Sequence, residues 1–211
     1  MKLILTLFSR PKNASDAVMR LCWVLIIFTA VTFIFKDVLP YFGFNESAMG
    51  RWWNYKWSLI GHISGGLIAT VVGPFQFWKA FRNKYLQLHR LLGRIYVIAI
   101  VIGFISSSYL AWTSGFALNV NWTLGLQGLG IAWIVTTAMA YISIRKKKIQ
   151  QHQVWMIRSY IVTFGFITFR ILNDIPFDTY FGVDIAGSTL LWASWSVPLL
   201  VAEVIMSLRK S

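Results

Sequence analysis

The residues of this 211-residue chain best suited to chemistry are three histidines, His62, His89 and His152, and two arginines, Arg158 and Arg170, all set in or beside apolar runs. Imidazole is a common metal ligand and changes charge near neutral pH. Histidines on two facing helices can supply both axial ligands of a haem, and His89 and His152 each stand at the start of an apolar run. His62 lies 17 residues from Lys79, the charge that closes its own run. That is about 25 Å at helical rise, so His62 cannot share a metal with the other two. Arg158 and Arg170 are 12 residues apart, about 18 Å along a helix, whereas the hydrocarbon of a bilayer is about 30 Å thick. Arginines so placed face a partner or a wet cavity. For Arg170 the expected partner is Asp174 at i+4, with His62 at similar depth. For Arg158 it is Glu203, with Arg94 competing for the same acid. A plainer reading stands beside each of these. Arg94 and Arg158 lie deeper than the histidines that precede them, so His89 and His152 also fit interfacial side chains bonded to head groups or loop carbonyls. The arginines equally fit snorkelling residues in structural ion pairs.

Small residues recur every four positions through Gly61, Gly65, Ala69 and Gly73. Such a strip lets either a neighbouring helix or a flat cofactor approach the backbone closely. Pro74 removes a backbone donor just beyond it and is expected to kink the helix, with Gln76 placed to satisfy a carbonyl freed by the kink.

The elements that carry these residues are membrane helices. Apolar residues make up 57% of the chain and charged residues 13%, against roughly 25% charged in soluble domains, so the surface must be covered by lipid. Six helices of about 20 residues each would use roughly 120 positions. Arg20 and Lys36 bracket the first uncharged run, and the second span lies between Lys56 and Lys79. No charge occurs from Ile95 to Ile144, which must therefore be two helices, turning near Ser114, Gly115, Asn119 and Asn121. The fifth span runs from about His152 to Leu172, and the sixth covers 188–208. The fold expected is all-α: one membrane domain over 1–211, with a central antiparallel four-helix bundle within 55–175 and flanking helices at 17–39 and 188–208. The apolar Lys2–Arg10 segment is too short to span and is expected at the interface. The first run lacks an A-x-A site and reads as a retained helix rather than a signal peptide. Cys22 is the single cysteine, so no intrachain disulfide forms.

The net charge of +13 does not point to nucleic acid, because the basic residues cluster at the ends of apolar runs. With the amino terminus inside, sixteen of the twenty basic residues are cytoplasmic, leaving Lys36, Arg51, Lys56 and Arg170 outside. Both termini are therefore expected in the cytoplasm of a bacterial cell, with the chain in its inner membrane. Trp52, Trp53, Tyr55 and Trp57 fall where an outer aromatic belt belongs.

A short internal echo links Gln87-x-His89 and Arg94-x-Tyr96 to Gln150-x-His152 and Arg158-x-Tyr160, as a duplicated helix pair would. The runs Gly61-His62, Gly65-Gly66, Gly73-Pro74-Phe75-Gln76, Leu88-His89-Arg90-Leu91-Leu92-Gly93-Arg94-Ile95-Tyr96 and His152-Gln153-Val154-Trp155-Met156-Ile157-Arg158-Ser159-Tyr160, with Arg170, resemble the bacterial membrane proteins of domain of unknown function 2306. Gln153 stands where that family usually has arginine. The resemblance covers about residues 55–175 and implies a topology without an activity. A more distant similarity, to haem-b membrane reductases of the cytochrome b561 kind, implies His89 and His152 as an inner haem-ligand pair. His62 has no histidine partner in the fourth helix, so this similarity implies at most one bis-histidine haem.

No P-loop, H-E-x-x-H, cysteine pair or acidic metal cluster is present. Three functions fit these residues, and the sequence does not decide whether any is enzymatic. The first, preferred here because the polar residues converge on the bundle, is a ligand-binding or redox module holding haem b or quinone. The polar core would be His62, Arg158 and Arg170, with Gly61, Gly65 and Gly73 as the close-approach strip. The second is a small-molecule or proton-coupled transporter working through His62 and Arg170. The third is an accessory subunit whose polar residues only fix packing. Reporter fusions after Lys148 and Ser211 are expected to read cytoplasmic and one after Asp184 external; a cytoplasmic signal at Asp184 would overturn the six-span topology.

Overall fold

The computed structural model describes residues 14–176, 179 and 183–208, and all regular structure among them is helical. The Lys2–Arg10 segment, Asp178, Arg209 and Lys210 lie outside the described residues. Among the described residues, six helices are long and apolar enough to cross a membrane.

The first helix, Ala14–Phe33, continues through a π turn at Ile34–Val38 and a 3-10 turn at Leu39–Gly43, where Pro40 opens the tighter coil. Phe44 then adopts a left-handed backbone (φ 49°), and the Asn45 side chain caps the short helix Glu46–Met49. The second helix, Lys56–Phe77, runs through Pro74 and stops where Trp78 goes extended; a short helix, Lys79–Lys84, follows. The third, Leu86–Leu110, ends in a π turn at Ala111–Gly115. Asn119 caps the fourth, Val120–Arg145, by accepting from the Asn121 amide at 2.7 Å. This is the turn expected between the two uncharged helices. The fifth is broken at Phe164 into Ile149–Thr163 and Gly165–Asn173, and the sixth is Val183–Leu208.

The second helix lies along the third, the third against the fourth and the fourth along the fifth; the second and fifth touch more lightly. The sixth rests on the fourth and fifth, and the first meets the far half of the fifth. "Basic end" below means the end that bears Lys79–Lys84 and Arg145–Lys148.

The small-residue strip is occupied by protein. A Cβ at Gly65 would fall 2.9 Å from Gly103 N and Cα, on third-helix backbone, and one at Gly61 would fall 2.6 Å from Ser106 Oγ. Gly73 takes the Tyr160 ring. Tyr160 also donates its hydroxyl to Thr70 O at 3.1 Å. Thr70 is the i−4 partner that Pro74 leaves without a donor. The freed carbonyl is thus satisfied from the fifth helix and not by Gln76, whose Nε2 has no partner. A tyrosine reaches that carbonyl because Gly73, one turn from Ala69, leaves room for its ring.

At the centre, third, fourth and fifth helices are joined by buried hydroxyls. Tyr96 Oη lies 2.9 Å from Ser159 Oγ and 3.1 Å from Thr163 Oγ1, and Thr137 Oγ1 lies 2.7 Å from Ser159 Oγ. Trp133 Nε1 donates to Thr163 Oγ1 at 2.9 Å. Around this network pack Ala69, Ile100, Ala140, Met156 and Val162. Toward the basic end, Arg158 grips Glu203 with two bonds, Nε to Oε1 at 2.5 Å and Nη2 to Oε2 at 2.8 Å, and covers the Trp155 ring. This fork fastens the sixth helix to the bundle in the pairing expected from the sequence.

Two measurements check this packing. Gly65→Ala is expected to destabilise the protein in detergent by about 1–3 kcal/mol, the usual cost of overpacking. Gly66→Ala, with nothing within 4 Å of its Cβ position, should leave thermal stability unchanged or raise it slightly, since alanine is the better helix former. In a double-mutant cycle, Arg158→Gln and Glu203→Gln should each destabilise and together cost clearly less than their sum; additive effects would mean that the fork carries no coupling.

Candidate functional site

The polar residues of the membrane region separate into two groups at opposite ends of the bundle. Away from the basic end, a cavity of about 500 Å³ opens among the first five helices. Its walls are mostly aromatic and aliphatic, with Trp52, Trp122, Trp133 and Phe166 prominent. His62, Arg170, Asp37, Arg51 and Asn173 supply its polar groups. A pocket of this volume, largely apolar with a few convergent polar groups, has the form of a small-molecule site.

Each polar group is set by its element. His62 stands two turns into the second helix, with Nδ1 3.4 Å from Gly103 O and its ring edge-on to Phe166 at 6.1 Å. That approach depends on the same small residues that bring the second and third helices together. If Nδ1 carries the proton toward this carbonyl, Nε2 is left as an acceptor. Arg170 leaves the second half of the fifth helix and passes over the Phe166 ring at 5.6 Å. Its Nε lies 3.9 Å from Asp37 Oδ1, too far for a hydrogen bond, and has no other hydrogen-bond partner. The expected Arg170–Asp174 pair does not form. The fifth helix ends at Asn173, and Asp174 swings to the surface, where it meets Lys36 at 3.5 Å. Both of those side chains are exposed, so that contact adds little stability. Arg170 is left to the acid of the first helix.

The other group lies at the basic end. His152 Nδ1 is 2.9 Å from Ala140 O, while His89 Nδ1 is buried with no partner. Arg82, His152 and Arg90 lie within electrostatic reach of His89. Neither histidine borders the cavity. Of the residues singled out by sequence, the structure therefore brings together His62 and Arg170, sets His89 near His152 elsewhere, and commits Arg158 to Glu203. Gly61, Gly65 and Gly73 are filled by neighbouring protein.

Asp37 and the hydroxyl network were not anticipated. Asp37 reads in the sequence as a flanking charge, and only the π turn at Ile34–Val38 carries it back to the bundle. The network does leave a trace: Trp133 with Thr137, and Ser159 with Thr163, are i,i+4 pairs of polar-tipped residues on single helix faces. Thr163 and Trp133 belong to both network and cavity, so the hydroxyl cluster reaches the pocket wall.

No curated protein and no solved structure matches the chain. A family model described as predicted membrane protein (DUF2306) matches residues 59–206, which takes in the second to sixth helices and leaves out the first. With more than half its length matched, the chain belongs to the DUF2306 family of membrane proteins.

Proposed function

We propose that the protein is a ligand-binding membrane module whose cavity takes a quinone-class ring. The observation that carries this reading is the convergence of His62, Arg170 and Asp37, from three different helices, on one aromatic-walled cavity of about 500 Å³. A quinone is flat and apolar, with two carbonyl oxygens that need donors; its reduced form carries hydroxyls that need acceptors. Arg170 supplies the donor, and His62 and Asp37 the acceptors. Indole and phenyl walls suit the ring faces.

Haem b at His89 and His152 is less well supported. His152 has the arrangement of a ligating imidazole, with Nδ1 on a carbonyl and Nε2 free. A macrocycle between the two histidines would, however, need open space on the diagonal between the third and fifth helices, which both pack on the fourth rather than along each other. Two turns further on, that diagonal is filled by Tyr96, bonded to Ser159, and the glycine strip is filled by protein. These contacts favour the cavity over His89 and His152 as the binding site. We further place the chain in a bacterial cytoplasmic membrane with both termini inside, on the charge asymmetry of its loops.

Trp52, Trp122 and Trp133 border the cavity and report on its occupancy. A short-chain benzoquinone or naphthoquinone titrated into the purified protein is expected to quench tryptophan emission saturably. Arg170→Ala and His62→Leu should each weaken the apparent affinity about tenfold or more, the loss of one good polar contact. Equal, non-saturating quenching in all three proteins would overturn the proposal and favour the packing-subunit reading. A Soret band in the purified protein would restore haem.

A further inference from the structure

The motif Leu88-His89-Arg90 takes no part in the cavity and still needs an explanation. Around it the chain folds over the basic end. The second helix stops at Phe77, Lys79–Lys84 forms a separate short helix, and Tyr85 leads into the third. Along this turn the rings of Phe75, Trp78 and Tyr85 each pack on Phe81 at centroid distances of 5.5, 5.9 and 5.7 Å. Aromatic rings packed among lysines and arginines are the composition of interfacial segments, whose rings sit at head-group level.

The polar atoms of this turn are unbalanced. Residues 75–94 contain five cations and no acid, and none of the five forms an ion pair among the described residues. Arg82 and Arg90 approach His89 from the short helix and from the third helix itself. His89 Nδ1 is buried without a partner, and so is Gln76 Nε2. Gln76 lies against Gly93, its Oε1 3.3 Å from the Cβ position there, and Gly93 is one turn from His89 on the same face. Buried polar groups are normally satisfied, so two orphans about one helical turn apart call for an explanation. A multivalent anionic acceptor supplies one.

We propose that the turn formed by the Lys79–Lys84 helix and the first turns of the third helix binds the phosphate of an anionic phospholipid, through Arg82, Arg90 and His89. Arginine forks suit phosphate oxygens, and basic pockets between helices at a membrane surface hold lipid head groups. A lipid is favoured over free phosphate because Leu86, Leu88 and Leu91 are exposed beside the arginines and offer a surface to acyl chains. The site is separate from the cavity, and its occupancy does not depend on the quinone reading.

The test compares thermal unfolding of the purified protein in mixed micelles containing phosphatidylglycerol or phosphatidylcholine, with native mass spectrometry counting retained lipid. Phosphatidylglycerol is expected to raise Tm and to be retained, and Arg82→Gln/Arg90→Gln should abolish both effects. Lys146→Gln/Lys147→Gln, which removes the same charge from the same end, should keep both. His89→Gln alone should reduce retention several-fold, giving a milder variant should the double substitution fold poorly. Equal loss in the two double variants would reduce the effect to surface charge and overturn the site. An equal rise with inorganic phosphate alone would overturn the lipid assignment, and so would retention of phosphatidylcholine in equal amount.

Discussion

A hydroxyl buried inside a membrane protein has no water to fall back on, so it must find an acceptor within the protein. Five side chains, Tyr96, Trp133, Thr137, Ser159 and Thr163, meet that requirement together at the junction of three helices. Thr163 donates to Ser159 O and Thr137 to Trp133 O, which frees their oxygens to accept from Trp133 and Ser159. Tyr96 then has an acceptor in either Ser159 or Thr163. Every donor is used, and this requires one relative rotation of the third, fourth and fifth helices. Trp133 and Thr163, fixed by that arrangement, also line the cavity, so part of its wall is set by a hydrogen-bond constraint.

The charges act further out and differently. The Arg158–Glu203 fork is partly buried and geometrically tight, so removing one partner leaves a charge without compensation. Lys36–Asp174 is exposed on both sides and orders little. Arg170 is intermediate. It is attracted to Asp37 without being hydrogen-bonded to it, and its Nε has no hydrogen-bond partner.

Much of this was legible in the residues. The six helices followed from the placement of charges, and Arg158–Glu203 followed because Glu203 is the one acid well inside the last apolar run. The glycine strip announced a close approach but not what fills it. Tyr160 was visible only as part of a repeated motif, because nothing in one dimension says that its ring crosses to Gly73 and its hydroxyl to Thr70 O. Arg170 was given the wrong acid for a related reason: i,i+4 spacing presumes that the helix continues, and the fifth helix ends before Asp174. Asp37 was missed because a π turn changes the angular step per residue, which no fixed period describes.

The family-matched region begins at residue 59, yet Phe33, Ile34, Asp37 and Val38 form one side of the cavity. The matched core of this chain therefore carries the histidine and the arginine of the cavity, while its acid, Asp37, and a second cation, Arg51, come from the stretch before the match. One wall of the chamber is thus supplied from outside the matched core, so a chain shortened to that core would leave the cavity open on one side and Arg170 without its counter-charge.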